Sequence, residues 1–100
     1  MVIIMANKVI ASKMPAAAFI GDAKVLGELI KAKRTEMGIK LADCAALCGV
    51  GINTLSRIEN GNSNCTLSAT FSVLNGLGIK LLTKELSVSK SIHSNDDVWI

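Results

Sequence analysis

The stretch LADCAALCGVGINTLSRIENG, residues 41 to 61, constrains the fold more than any other part of the chain. Ala45 stands four residues before Gly49, Val50 follows the glycine, and Leu55 and Ile58 recur at a spacing that keeps both on one helix face. Two short helices cross closely only when the contact residue on the first is small and the turn residue tolerates left-handed backbone. These five residues meet both demands, so the stretch predicts a helix-turn-helix. Such a motif lays its second helix in the DNA major groove, which makes reading DNA the first functional expectation.

The flanking elements follow from caps and periodicity. Residues 1–21 form a low-charge leader with the only proline, Pro15, and the sequence leaves open an extended arm, a short helix or disorder. Asp22 is placed to cap a helix over 23–37 that turns Leu26, Leu29, Ile30 and Met37 inward, with Gly38 as its left-handed stop. A second helix over 41–48 ends at Gly49, and Gly51 caps a third over 52–60 that ends at Gly61. Thr66 or Asn64 caps a fourth, along which Leu67, Phe71, Leu74 and Leu77 form a one-sided apolar stripe closed by Gly76 and Gly78. Beyond it Ile79 and Leu81 alternate with Lys80, predicting a short β-strand. A lone strand in a helical chain has no partner for its backbone groups, and the same strand from a second copy is the economical one. Ile79, Leu81 and Leu82 are therefore expected to dimerise the protein. The organisation expected is a leader over 1–21, a DNA-binding domain over 22–78, a dimerisation strand over 79–88 and a flexible tail over 89–100.

Composition narrows the class. One hundred residues make a single domain, and a core of Leu, Ile, Val, Ala and Met with 3% aromatics suits small helices better than a β-sandwich. Residues 1–84 carry ten Lys/Arg against five Asp/Glu, whereas residues 85–100 carry Lys90 against Glu85, Asp96 and Asp97. A basic body with an acidic tail points to two different partners. The three cysteines, Cys44, Cys48 and Cys65, are an odd count that argues against a disulfide framework and for a reducing cytoplasm. No apolar run approaches a membrane span, and the start, MVIIMANKVIASK, is broken by Lys8 and Lys13. No membrane partner is expected.

The segment KAKRTEMGIKLADCAALCGVGINTLSRIENGNS resembles the lambda-repressor-like DNA-binding domains of the Cro/repressor (XRE) family, the likeness running over roughly residues 22–78. It implies an all-α, four-helix DNA-binding domain, here with a C-terminal β-strand pairing across a homodimer. It also implies an ion pair between Arg34, late in the first helix, and Glu59, just before the closing Asn-Gly. Within the family the chain looks most like HipB-type antitoxins, the DNA-binding partners of HipA-type toxins with a kinase fold. CTLSATFSVLNGLGIKLLTK looks like their fourth helix running into the dimer strand, and Trp99 like the near-terminal tryptophan of some of them. The resemblance thus implies a repressor that autoregulates a toxin–antitoxin operon. A free-standing phage or metabolic repressor, or a helix-turn-helix used only for protein interaction, are the alternatives. Leu41 stands where the family usually has glutamine, and Gly51 and Ile52 where it commonly has polar residues, so the groove surface is poor in hydrogen-bonding groups.

With Leu55 and Ile58 inward, Ile52, Asn53, Ser56, Arg57 and Asn60 point outward, with Thr54 beside them. Arg57 is the candidate for bidentate contact with guanine, Asn53 for adenine, and Ile52 for a thymine methyl. Ser56, Asn60, the amides at Leu41 and Gly51 and the charge of Lys40 suit phosphates. The expected partner is a pseudo-palindromic double-stranded operator. Cys44 and Cys48, one turn apart, read as buried thiols rather than metal ligands, and His93 stands alone, so neither metal nor cofactor is expected. No catalytic constellation appears, and no enzyme is expected. Val98, Trp99 and Ile100, after two aspartates, are the candidate anchor for a protein partner.

Overall fold

A computed structural model describes residues 9–84. Its four helices are α1 (Ala23–Glu36), α2 (Leu41–Cys48), α3 (Ile52–Glu59) and α4 (Leu67–Gly76). Asp22 caps α1 from extended backbone, its side chain accepting from the Val25 amide at 2.9 Å. Thr66 does the same for α4, accepting from Ala69 at 3.1 Å. The turn between α2 and α3 rests on Gly49, at φ 74° and ψ 31°, a left-handed conformation that costs a side chain about 1–2 kcal/mol. Gly49 and Val50 then close the end of α2 by donating to its last carbonyls.

The core gathers Ile30 from α1, Cys44, Ala45 and Cys48 from α2, Leu55 and Ile58 from α3, and Val73, Leu74 and Leu77 from α4 and its cap. Burying each large member stabilises the domain by roughly 1.5–3 kcal/mol. Two glycines set how closely the helices meet. A Cβ on Gly27 would run into the Ile58 carbonyl oxygen and lie 2.8 Å from that of Glu59, so α1 meets the end of α3 backbone to backbone. A Cβ on Gly76 would lie 2.5 Å from Cys48 Sγ, so α4 lies directly on α2. Gly76 is thus both the last residue of α4 and a packing glycine, and the left-handed residue after the helix is Gly78.

Three expectations change. The first helix ends at Glu36, and Met37 is its cap residue, 49% exposed rather than in the core. The stripe on α4 is not the buried face: Leu67 is 73% and Phe71 45% exposed. The buried Val73, Leu74 and Leu77 are centred about 70° around the helix from Leu67 and about 110° from Phe71, because each residue advances roughly 100°. Contact with Cys48 at Gly76, not the longest apolar row, sets the rotation of α4. No paired strand is present among the described residues. Ile79 is half-buried against the core and donates to the Leu74 carbonyl at 2.8 Å, while Leu81 and Leu82 are exposed. A strand shared between two copies finds no partner inside one chain.

The described part of the leader is neither helix nor strand. It lies along α1, with the Ser12 amide donating to Thr35 Oγ1 at 2.7 Å. Residues 1–8, the rest of the expected dimer strand (85–88) and the expected tail (89–100) lie outside the described residues.

Candidate nucleic-acid interface

The outer face of α3 carries the expected row. Ile52, Asn53, Arg57 and Asn60 are exposed and Thr54 and Ser56 half-buried, while Leu55, Ile58 and Glu59 turn inward. Lys40, just before α2, is exposed. Leu41 is half-buried against the core, so its side chain packs and what it offers outward is its amide.

The row is held by a charge pair drawn from two helices. Arg34 Nε donates to Glu59 Oε2 at 2.6 Å and Nη2 to Oε1 at 3.0 Å, a bidentate pair with both residues buried. A third donor, Nη1, reaches the Ile39 carbonyl at 2.8 Å and so fixes the link between α1 and α2 as well. Burying such a pair costs much of what its attraction returns, so its main effect is to set geometry. The Ile39 contact was not readable from sequence, because a carbonyl acceptor has no residue signature. Gly27 was missed too, although a glycine mid-helix costs about 1 kcal/mol against alanine and so signals a close approach.

The helix N-termini differ. One first-turn amide of α1 is met by Asp22 and one of α4 by Thr66, but no side chain caps α2 or α3, whose N-cap residues are Lys40 and Gly51. Amides aligned at a helix start carry partial positive charge and accept an anion such as a phosphate. Asp43, exposed in the first turn of α2, offsets part of that charge.

Cys44 and Cys48 place their sulfurs 3.9 Å apart inside the core, and Cys48 Sγ also faces the Val73 carbonyl at 3.7 Å. Burial, and then the neighbouring Cys48, push the Cys44 thiol up to about 12 from 9.0, so it stays protonated at neutral pH. Cys65 is half-buried. Among the described residues no group of three or more His, Cys, Asp or Glu side chains is placed to hold a metal ion. His93 and the expected anchor Val98, Trp99 and Ile100 lie outside the described residues. No helix among the described residues is long and apolar enough to cross a membrane.

Comparison with known proteins gives three findings. A family model described as helix-turn-helix matches residues 30–83. A protein of Haemophilus influenzae described as an uncharacterized HTH-type transcriptional regulator is 34% identical over 65 residues, covering 65% of this chain; the chain spans 64% of that relative's length. A solved structure of a HipB variant in complex with an O2 20mer superposes with a TM-score of 0.62 at 26% identity, covering 68% of this chain and 94% of that one.

Proposed function

The chain belongs to the helix-turn-helix family, and on that footing we propose that it is a sequence-specific DNA-binding transcriptional repressor. The observation that carries the reading is the pair of helix N-termini, α2 and α3, left without side-chain acceptors beside an exposed row of Asn53, Arg57 and Asn60. Arg57 reads guanine through two acceptors, Asn53 reads adenine, and Ile52 packs on a thymine methyl. Ser56, Asn60, Lys40 and the amides of the first turns take phosphates, with Thr54 beside them. The protein works in the cytoplasm as a homodimer joined by Ile79, Leu81 and Leu82 over residues 79–88. It reads a pseudo-palindromic operator whose half-sites lie about 34 Å apart.

The more specific role is that of a HipB-type antitoxin, autoregulating its promoter and binding a HipA-type kinase-fold toxin through Val98, Trp99 and Ile100. Similarity to the HipB complex supports it. Band-shift titration on the chain's own promoter tests DNA reading: Arg57→Ala is expected to cost about 1–3 kcal/mol and to relax preference at one base pair. Unchanged affinity and unchanged preference would remove that assignment. Co-expression with the adjoining gene, followed by pull-down, tests the toxin.

One observation favours a second reading, a helix-turn-helix used for protein contact alone. Leu47 is 59% and Ile52 45% exposed on the helices meant to meet DNA. Salt separates the two, because binding that neutralises phosphates weakens steeply as salt rises and apolar contact does not.

A further inference from the structure

An apolar groove of about 770 Å³ runs over α1, between the leader on one side and the segment leaving α4 on the other. Its floor is Val25, Leu26 and Leu29, each left half-buried by the core, and Met14, Phe19 and Ile20 form the leader wall. Phe19 is 76% exposed, a large aromatic surface with no cover among the described residues. The volume falls within the roughly 300–1,000 Å³ typical of pockets that enclose a ligand. Lys80 and Lys84 are the charged residues on its lining, and no Asp or Glu joins them.

The chain itself holds a segment with the matching chemistry. Asp96 and Asp97 stand directly before Val98, Trp99 and Ile100, an acidic pair followed by three apolar residues. Lys84 lines the groove, and residues 85–97 connect it in sequence to Val98. Those residues, at up to about 3.3 Å each, reach well beyond the distance needed to turn back. A tethered segment also meets its site at an effective concentration on the order of mM, which populates a contact too weak to form between separate molecules.

We infer that residues 98–100 bind in this groove of their own chain, with Trp99 against Phe19, Val25 and Leu29 and with Asp96 and Asp97 beside Lys80 and Lys84. The groove wall includes Ile79, Leu81 and Leu82, so the contact and the proposed pairing of copies share that segment. The contact gives the acidic segment a place on the basic body, and a protein that binds Trp99 must first draw it out.

Trp99 is the only tryptophan, so its emission reports the contact directly in the full chain. Wild-type emission is expected to lie to the blue of the same protein in denaturant and to resist acrylamide quenching. Phe19→Asp, a change at an exposed position, is expected to shift emission to the red and raise quenching severalfold with the melting temperature unchanged. Lys80→Glu with Lys84→Glu is expected to do the same, and adding Asp96→Lys with Asp97→Lys to restore the wild-type signal. Fully exposed emission in the wild type, or a buried Trp99 indifferent to both the groove and the charge swap, would overturn the inference. Co-refolding the Phe19→Asp chain with a Trp99→Phe chain separates the source: recovery of the blue emission would mean the groove belongs to a second copy and overturn binding within one chain. Unchanged melting and operator binding in the Phe19→Asp chain, whose change lies outside residues 79–88, keeps this result apart from any failure of the DNA-binding reading.

Discussion

Helices α1 and α4 meet their own first-turn amides with side chains, through Asp22 and Thr66, while α2 and α3 do not. The first pair is capped by its own residues and serves as a frame. The second pair is as well anchored in the core, through Cys44, Cys48, Leu55 and Ile58, yet leaves its polar ends to solvent or to a ligand. The difference teaches that packing and end-satisfaction are separate variables. A helix can be fixed by its buried face while its terminus stays available for binding.

Cutting the link between frame and motif is the largest test. Glu59→Gln leaves Arg34 buried without its counter-charge, and a loss of about 3–5 kcal/mol is expected in denaturant unfolding. A loss near that of an exposed pair, below about 1 kcal/mol, would show that Arg34 reaches water when freed. Gly76→Ala is expected to cost about 1–3 kcal/mol, because its methyl meets Cys48 Sγ. Combining it with Cys48→Ala should return part of that loss, and strict additivity would mean that the contact is not the cause.

The Cys44 thiol gives a pH-dependent arm. Its folded value is raised from 9.0 to about 12, so its contribution is complete below pH 9 and is lost as pH climbs toward 12. Stability is expected to fall by up to about 1.4 kcal/mol per pH unit above 9, relative to Cys44→Ala measured alongside. Parallel curves for the two proteins would refute it. Thr66→Ala on the frame is expected to cost about 1 kcal/mol of stability and no DNA affinity. The smallest stability effect and the sharpest contrast come from Gly51→Asp. Its backbone is extended, and a Cβ there has only Thr54 Oγ1 near, at 3.8 Å, so the new carboxylate caps α3 and adds a few tenths of a kcal/mol. The same charge is expected to weaken operator binding at least tenfold, about 1.4 kcal/mol. Unweakened binding would show that the end of α3 meets no phosphate.

Much of this frame was legible from residues. Asp22, Gly49 and Gly51 announced their helix boundaries, and Thr66 was one of two candidates with Asn64, because caps and left-handed turns draw on few residue types. Ala45, Leu55 and Ile58 announced the motif by spacing, and the exposed row on α3 followed once those three were turned inward. What failed was rotation and close contact. Leu67 and Phe71 looked buried because periodicity finds an apolar row but not the face that meets a neighbour. Gly76 read as a helix end, which it is, but not as a packing residue, because the sulfur it accommodates is 28 residues away. The proposed strand pairing would need a second molecule, and periodicity in one chain specifies only that an edge exists.

The glycine at position 27 has a mechanical consequence. It grips α3 at its C-terminal end, and a Cβ on Gly61, just past that end, would lie 2.9 Å from the Lys24 Cα. At the opposite end, from Ile52 to Thr54, no glycine among the described residues makes so close an approach. The helix is thus gripped most closely by α1 at its root, while its tip is joined to α2 through the Gly49 turn and Val50. Amide exchange should slow from tip to root, and small differences in groove shape should be absorbed by bending of the first turn while the root holds the angle of approach.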